Sequence, residues 1–231
     1  MAKEKRGSLI REFPMLVVVA VIVSIIIKTF LVQFFYIPSG SMENTLLIND
    51  RVAVNKLGAF FTDVKRGEVV VFRDTAGWLT PESVESGTGI RDRFKSALVF
   101  IGILPDPAKQ YLIKRVIGVG GDRILCCDAQ KRLTVNGIAI DEPYIFPGDA
   151  ASDSDFDVTV PEGFIWVMGD HRGASADSRF HTDDANKGFV PLDAVTGRAF
   201  AVVWPIKNFS FLSSHNGLVE ENSTSAPTTE K

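Results

Sequence analysis

From Phe13 to Val32 the chain reads FPMLVVVAVIVSIIIKTFLV, twenty residues with a single charge, Lys28. A helix needs about 20 residues to cross the roughly 30 Å hydrocarbon layer of a bilayer, so the run fits a membrane span. Pro14 suits a first helical turn, where the N–H it lacks would have no intrahelical acceptor. Lys28 reaches the interface by snorkelling, and Phe34, Phe35 and Tyr36 suit an aromatic belt. A buried soluble helix would show a polar stripe, which is missing here. A cleaved secretory signal would end in a small-x-small site, whereas this run exits through Phe-Phe-Tyr-Ile-Pro. The expectation is an uncleaved anchor over residues 13–35.

Charge placement orients that anchor. Lys3, Lys5, Arg6 and Arg11 crowd residues 1–12 against Glu4 and Glu12. Positive flanks stay cytoplasmic, which puts residues 1–12 inside and everything beyond the anchor at the outer face of the cytoplasmic membrane. Removing those four basic and two acidic residues from the chain's 25 and 28 leaves the remainder about five charges negative. With a sequence pI near 5.7 and no Lys/Arg-rich face, a nucleic-acid partner is not expected.

Residues 36–212 read as one mainly β domain. Arg51–Lys56, Glu68–Phe72, Tyr111–Ile117, Leu133–Val135, Phe164–Met168 and Ala199–Trp204 are short β-branched or aromatic runs bounded by Gly, Pro and Asp. Asn136-Gly137 is the strongest hairpin signal. An insertion over 74–110 starts polar and ends in an apolar stretch, Phe94–Leu104, too short to span and read either as a core helix or, in preference, as a segment at the membrane interface. The tail 213–231 is Ser/Thr/Asn/Glu-rich and expected to be disordered. Cys126 and Cys127 are adjacent, and a ring between them would be strained, so the expectation is a buried free pair.

Several patterns carry no chemistry. Gly118-Val119-Gly120-Gly121 lacks the third glycine of a dinucleotide fingerprint and reads as a turn. Asp153, Asp155 and Asp157 resemble the start of a calcium loop, but its sixth and twelfth positions are Val158 and Phe164. None of the three histidines has a partner in metal-ligand spacing, and no cofactor or metal is expected. A Ser/His/Asp triad from Asp170 or Asp177 with His171 or His181 stays open, because triads assemble in space.

Ser41 follows Pro38-Ser39-Gly40, a turn able to present a hydroxyl at a strand end. A serine is a poor nucleophile until a base takes its proton. A lysine serves only if neutral near pH 7. Its pKa must then fall from about 10.4 by about 2–3, costing on the order of 3–4 kcal/mol. Burial among apolar groups supplies such a shift. In Tyr111–Ile117 (YLIKRVI), strand alternation flanks Lys114 with Leu112 and Val116 and points Arg115 the other way. An edge-strand lysine that snorkels remains an equal reading of that spacing.

Three motifs in order after an N-terminal anchor, Ile37–Met42 (IPSGSM), Tyr111–Asp122 (YLIKRVIGVGGD) and Gly169–Arg179 (GDHRGASADSR), with Val64–Phe72 (VKRGEVVVF), resemble bacterial type I signal peptidase. The resemblance covers most of the chain. It implies an antiparallel-sheet catalytic domain behind one N-terminal transmembrane helix, and a membrane-bound Ser/Lys endopeptidase that releases exported preproteins from their signal peptides. By motif position Ser41 is then the nucleophile and Lys114 the general base. The Ser41 N–H and the Ser39 hydroxyl form the oxyanion hole, and Ser175 orients the lysine. Asp177 and Arg179 form a supporting ion pair, and Asp170 and Arg172 hold the same loop. Phe35, Ile37, Met42, Leu46 and Ile113 line shallow apolar pockets for small residues one and three positions before the cut. Partners are preprotein signal peptides and membrane lipid; the pattern carries no signal for oligomeric state. The chain departs from the family at Asn44, where proline is usual, and in His-Arg-Gly-Ala-Ser, where Asn-Arg-Asp-Asn-Ser is commoner.

Two other readings share the anchor and the strands. A non-enzymatic β-domain that binds extracytoplasmic peptides or assists assembly needs neither Ser41 nor Lys114. A self-cleaving Ser/Lys regulator would carry an internal cut.

Overall fold

The computed structural model describes residues 12–23, 31–57, 63–79 and 110–214. Residues 12–23 are helical and exposed throughout. Among the described residues no helix is long and apolar enough to cross a membrane. Residues 24–30, the apolar stretch Phe94–Leu104 and the tail from 215 lie outside the described residues.

The span expected over 13–35 ends early. Val32–Tyr36 is a strand, β1, because VQFFY has the alternation of a half-buried strand: Gln33 and Phe35 point inward, Phe34 and Tyr36 outward. The folded domain therefore begins at least four residues before the expected boundary at 36. Among the described residues eleven strands follow: β2 (Arg51–Asn55), β3 (Val69–Arg73), β4 (Tyr111–Val119), β5 (Arg123–Cys126), β6 (Leu133–Val135), β7 (Ile138–Ala139), β8 (Phe156–Thr159), β9 (Phe164–Met168), β10 (Val190–Pro191), β11 (Val195–Trp204) and β12 (Ser210–Phe211). The larger sheet runs β1-β2-β11-β3-β4-β9-β10, with β12 also on β11, and the smaller runs β7-β6-β5-β8. Every pairing among the described residues is antiparallel.

The middle of the larger sheet is covered on both faces. In β3, Val69 and Val71 join a core with Phe35, Ile37, Val52 and Val54, while Val70 and Phe72 join another with Leu112, Val116, Ile165 and Val167. A strand buried on both sides reads as a continuous apolar run, as EVVVF does. At the other end Trp166, Met168 and Ile117 pack with Ile124, Leu133 and Val135 of the smaller sheet.

The hairpin at Asn136-Gly137 joins β6 to β7 with φ of 55° and 82° at its two loop residues, the left-handed pair that a type I′ turn requires. Gly120-Gly121 turns the chain from β4 to β5, as expected. The acidic loop instead supplies a strand, since Asp157 lies in β8 and binds Arg123. The free cysteine pair is also corrected. Cys126 and Cys127 are bonded to each other, with Cα atoms 3.0 Å apart, close enough for neighbouring sulfurs to meet.

Candidate active site

After β1 the chain makes a loop closed at its neck by the Ile37 N–H on Asp50 O and the Asn49 N–H on Ile37 O, both at 2.9 Å. Inside it, Met42 and Leu46 turn inward and are almost wholly enclosed, which pins Ser41 between them and Gly40. The Glu43 N–H closes a tight turn on Gly40 O at 3.0 Å.

β4 crosses this loop from the middle of the sheet. Because both of its faces are covered, Lys114 and Arg115 are each buried, although they point opposite ways. Arg115 is neutralised by Asp170 through Nε–Oδ1 at 2.8 Å and Nη2–Oδ2 at 2.6 Å, with Tyr144 stacked 4.0 Å above its guanidinium. Lys114 Nζ lies 2.7 Å from Ser41 Oγ. Burial lowers its pKa from 10.5 to about 8, against the opposing pull of the Asp177 and Asp170 charges. A neutral amine at that distance accepts the serine proton; an ammonium donates to the same oxygen.

Residues 169–179 form the far wall. Asp177 takes Arg179 in a two-point ion pair, at 2.8 Å and 2.9 Å, and also accepts the Gly169 N–H. Asp170 pairs with Arg115 of β4, not with Arg172. Arg172 instead bonds Glu142, Gly169 O and Ala151 O. A Cβ on Gly169 would stand 2.4 Å from Ser41 O and 2.2 Å from Ser175 Oγ, so only glycine lets this wall come so near the serine. Ser175 is buried at that contact, but its Oγ has no hydrogen-bond partner among the described residues, and the bond to the lysine implied by the resemblance is not made. Ser39 is exposed at the loop's outer edge.

Phe35, Ile37, Met42 and Leu46 form one cluster, with Ile113 and Tyr111 packed against it. The first four are buried and make a floor, while Ile113 and Tyr111 keep part of their surface exposed. The two aspartates proposed for a histidine triad are each committed to an arginine. His171 faces Gly40, Glu43 and Asp149, and His181 pairs with Asp184 while stacking on Trp78. No carboxylate–histidine–serine chain forms among the described residues. Nor do three His, Cys, Asp or Glu side chains gather there as a metal site.

The family model described as "Signal peptidase, peptidase S26" matches residues 10–204. The chain belongs to this family. It is 40% identical to signal peptidase I of Mycobacterium tuberculosis (strain H37Rv), over 91% of this chain and 78% of that one. Identity to the signal peptidase I of Bacillus caldolyticus is 31%, over 90% of this chain and 97% of that one. A solved signal peptidase I from Enterococcus faecalis is similar at a TM-score of 0.36 and 22% identity, covering 59% of this chain and 97% of that one. Family membership makes the chain a peptidase.

Sequence reasoning missed three residues of this S26 site. Arg115 reads as the outward half of an alternating strand, and only a strand covered on both faces gives it an inward environment. Asn44 bonds the carbonyls of Tyr144 and Ile145 at 3.0 Å and 3.1 Å, tying the serine loop to a segment a hundred residues on. His171 reads only as an open triad candidate, yet it touches the carbonyls on both sides of Ser41. The departures from the family pattern, at positions 44 and 171, were the available signal.

Proposed function

We propose that the chain is a membrane-anchored serine endopeptidase that removes signal peptides from exported preproteins at the outer face of the cytoplasmic membrane. The observation that carries the reading is the 2.7 Å approach of Lys114 Nζ to Ser41 Oγ in a buried site. Neutral Lys114 takes the Ser41 proton as Oγ attacks the scissile carbonyl carbon. The oxyanion is met by the Ser41 N–H and by the Ser39 hydroxyl, which swings inward from the exposed edge. The resulting ammonium protonates the departing amine. Lys114 then accepts a proton from water as it attacks the acyl-serine, and returns that proton to Ser41 Oγ as the acyl–Oγ bond breaks. Removing one oxyanion donor typically costs roughly 10²–10³ in rate. Ser175 orients the lysine amine once its own Oγ has turned toward it.

Substrate enters as an added strand. Among the described residues, Leu112 to Lys114 of β4 pair with β3, and β9 joins from Arg115 onward. An extended peptide laid along β4 at Leu112–Lys114 would put its scissile carbonyl at Lys114. Its small side chains would drop toward Ile113 and Tyr111, over the floor of Phe35, Ile37, Met42 and Leu46.

The helical residues 13–23, apolar and exposed, support the anchor, with the basic residues before them on the cytoplasmic side. The domain adds a face of its own for lipid. Register aligns Tyr36, Arg51 and Trp204 in one row and Phe34, Ala53, Ala201 and Phe211 in the next, so four exposed aromatic rings share one side of the sheet.

The test is cleavage of an Ala-x-Ala preprotein by the full chain in detergent. Ser41→Ala and Lys114→Ala each abolish it while melting as folded proteins. Cleavage that survives either substitution sinks the Ser/Lys reading, and a wild type that does not cleave favours the non-enzymatic one.

A further inference from the structure

Gly40 O and the Ser41 N–H belong to one peptide unit. That unit is planar and trans, so whatever fixes the direction of the carbonyl also fixes the N–H, pointing the opposite way. In this chain the Gly40 carbonyl is held by two donors: the Glu43 N–H at 3.0 Å, from within the turn, and His171 Nδ1 at 3.2 Å, from the opposite wall. The His171 backbone N–H also reaches Ser41 O, at 3.2 Å. A single residue thus grips the carbonyls on both sides of the nucleophile.

We propose that His171 is a positioning residue that aims the Ser41 N–H at the reacting carbonyl oxygen. The inference rests on the Ser41/Lys114 reading above. The ring is built in for the task. It stacks on Phe146 with centroids 4.0 Å apart and planes 15° from parallel, and only a fifth of the side chain is exposed. Nδ1 faces two acceptors, Gly40 O and Glu43 Oε2 at 3.2 Å, so Nδ1 carries the hydrogen. Nε2 faces Asp149 Oδ2 at 4.0 Å, and that carboxylate is itself fixed by the Gly173 N–H at 3.0 Å. Neutral or protonated, the ring keeps its Nδ1–H, so the grip persists across the pH range in which Lys114 titrates. A hydrogen bond accepted at the carbonyl also polarises the N–H of the same peptide, strengthening it as a donor to an oxyanion.

Two substitutions separate aiming from packing. His171→Phe keeps an aromatic ring on Phe146 but has no N–H; His171→Asn loses the ring but keeps an N–H donor where Nδ1 stands. With the full chain and an Ala-x-Ala preprotein in detergent, His171→Phe should lower kcat on the order of ten-fold. That is a fraction of the cost of deleting an oxyanion donor. KM should stay within about two-fold, because the interaction matures only in the transition state. The pH midpoint of kcat should not move, since Lys114 is untouched. His171→Asn should keep at least about half of the wild-type kcat, and that rescue marks a role for the N–H. Wild-type kcat in His171→Phe overturns the proposal, and a loss confined to His171→Asn would mean packing alone; an equal loss in both variants overturns it too, because a restored donor would then not restore the rate. Should His171→Phe fail to fold, the Asn variant decides: a loss beyond about ten-fold overturns the aiming role. A wild type that does not cleave, or a Ser41→Ala that does, overturns the Ser/Lys reading first, and this one with it.

Discussion

Lys114 and Arg115 are neighbours on β4, each buried to within a few per cent, and only the arginine meets a carboxylate. Burying a cation is costly unless it is paired, and an unpaired lysine responds by giving up its proton more readily. Asp170 neutralises Arg115, while among the described residues no carboxylate comes within ion-pair distance of Lys114. Two adjacent positive residues are thus driven apart in behaviour: one is clamped by a carboxylate, the other gives up its proton more readily.

The lysine's displaced proton should be visible in both activity and stability. Activity should rise with pH through about 8, where the amine becomes neutral. The folded value lies below the unfolded one, so between about 8 and 10.5 the unfolded chain holds the extra proton and stability rises with pH. Below pH 8 the whole penalty applies, about 3 kcal/mol for a shift of this size. Lys114→Met should therefore be the more stable protein at pH 7, with the advantage fading as pH approaches 10.5. Urea unfolding of both proteins at pH 6, 8 and 10 checks this. A methionine variant less stable at every pH would count against a penalised ammonium.

Asp170→Asn removes the partner of a buried guanidinium. Breaking one side of such a pair costs about 3–5 kcal/mol, because the remaining charge stays in the interior unpaired. Thr45, which also bonds Asp170, is released with it. The same substitution removes one of the two charges that hold the Lys114 pKa up, so the surviving folded protein should show its activity midpoint at lower pH. Denaturant midpoints and a pH–rate profile test the two effects separately; a midpoint shifted to higher pH would contradict the assigned electrostatics.

The aromatic side of the sheet should matter only when substrate sits in a bilayer. Trp204→Asp with Phe211→Asp replaces two exposed rings far from the core, so folding should be little affected. Cleavage of a vesicle-embedded preprotein should fall, while cleavage of a soluble Ala-x-Ala peptide in detergent stays at the wild-type level. Equal loss on both substrates would mean that the rings support the fold instead.

Local signals exposed the parts of this molecule that obey local rules. Asn136-Gly137 specified its turn because both positions need a positive φ, and Leu133–Val135 and Phe164–Met168 were bounded correctly by their own composition. Ser41 and Lys114 came out of a turn and an apolar strand, and motif order joined them. What stayed hidden depends on distance in the chain. β1 was masked by the apolar run it continues, since hydropathy sees no difference between an anchor and a half-buried strand. β8 lay within a run of aspartates, and only its pairing with β5 makes it a strand. Arg115 looked solvent-facing because alternation gives a direction without telling what covers each face. Asn44 and His171 act through backbone carbonyls, which leave no mark on composition.

Asn44 offers the sharpest test of the loop's backbone. Its φ is +83°, in the left-handed region that asparagine and glycine tolerate and proline, fixed near −65°, does not. Its side-chain amide adds two bonds to the 144–145 carbonyls. Asn44→Gly keeps the backbone and loses only the bonds, a cost of about 1 kcal/mol for each in a partly exposed setting. Asn44→Pro must rebuild the turn that presents Ser41, at about 3 kcal/mol or more, and kcat should collapse with it. Urea midpoints and preprotein cleavage should rank wild type above glycine and glycine far above proline. A proline variant as stable and active as wild type would show that the loop does not need this conformation, and that the family's usual residue at position 44 fits this chain as well.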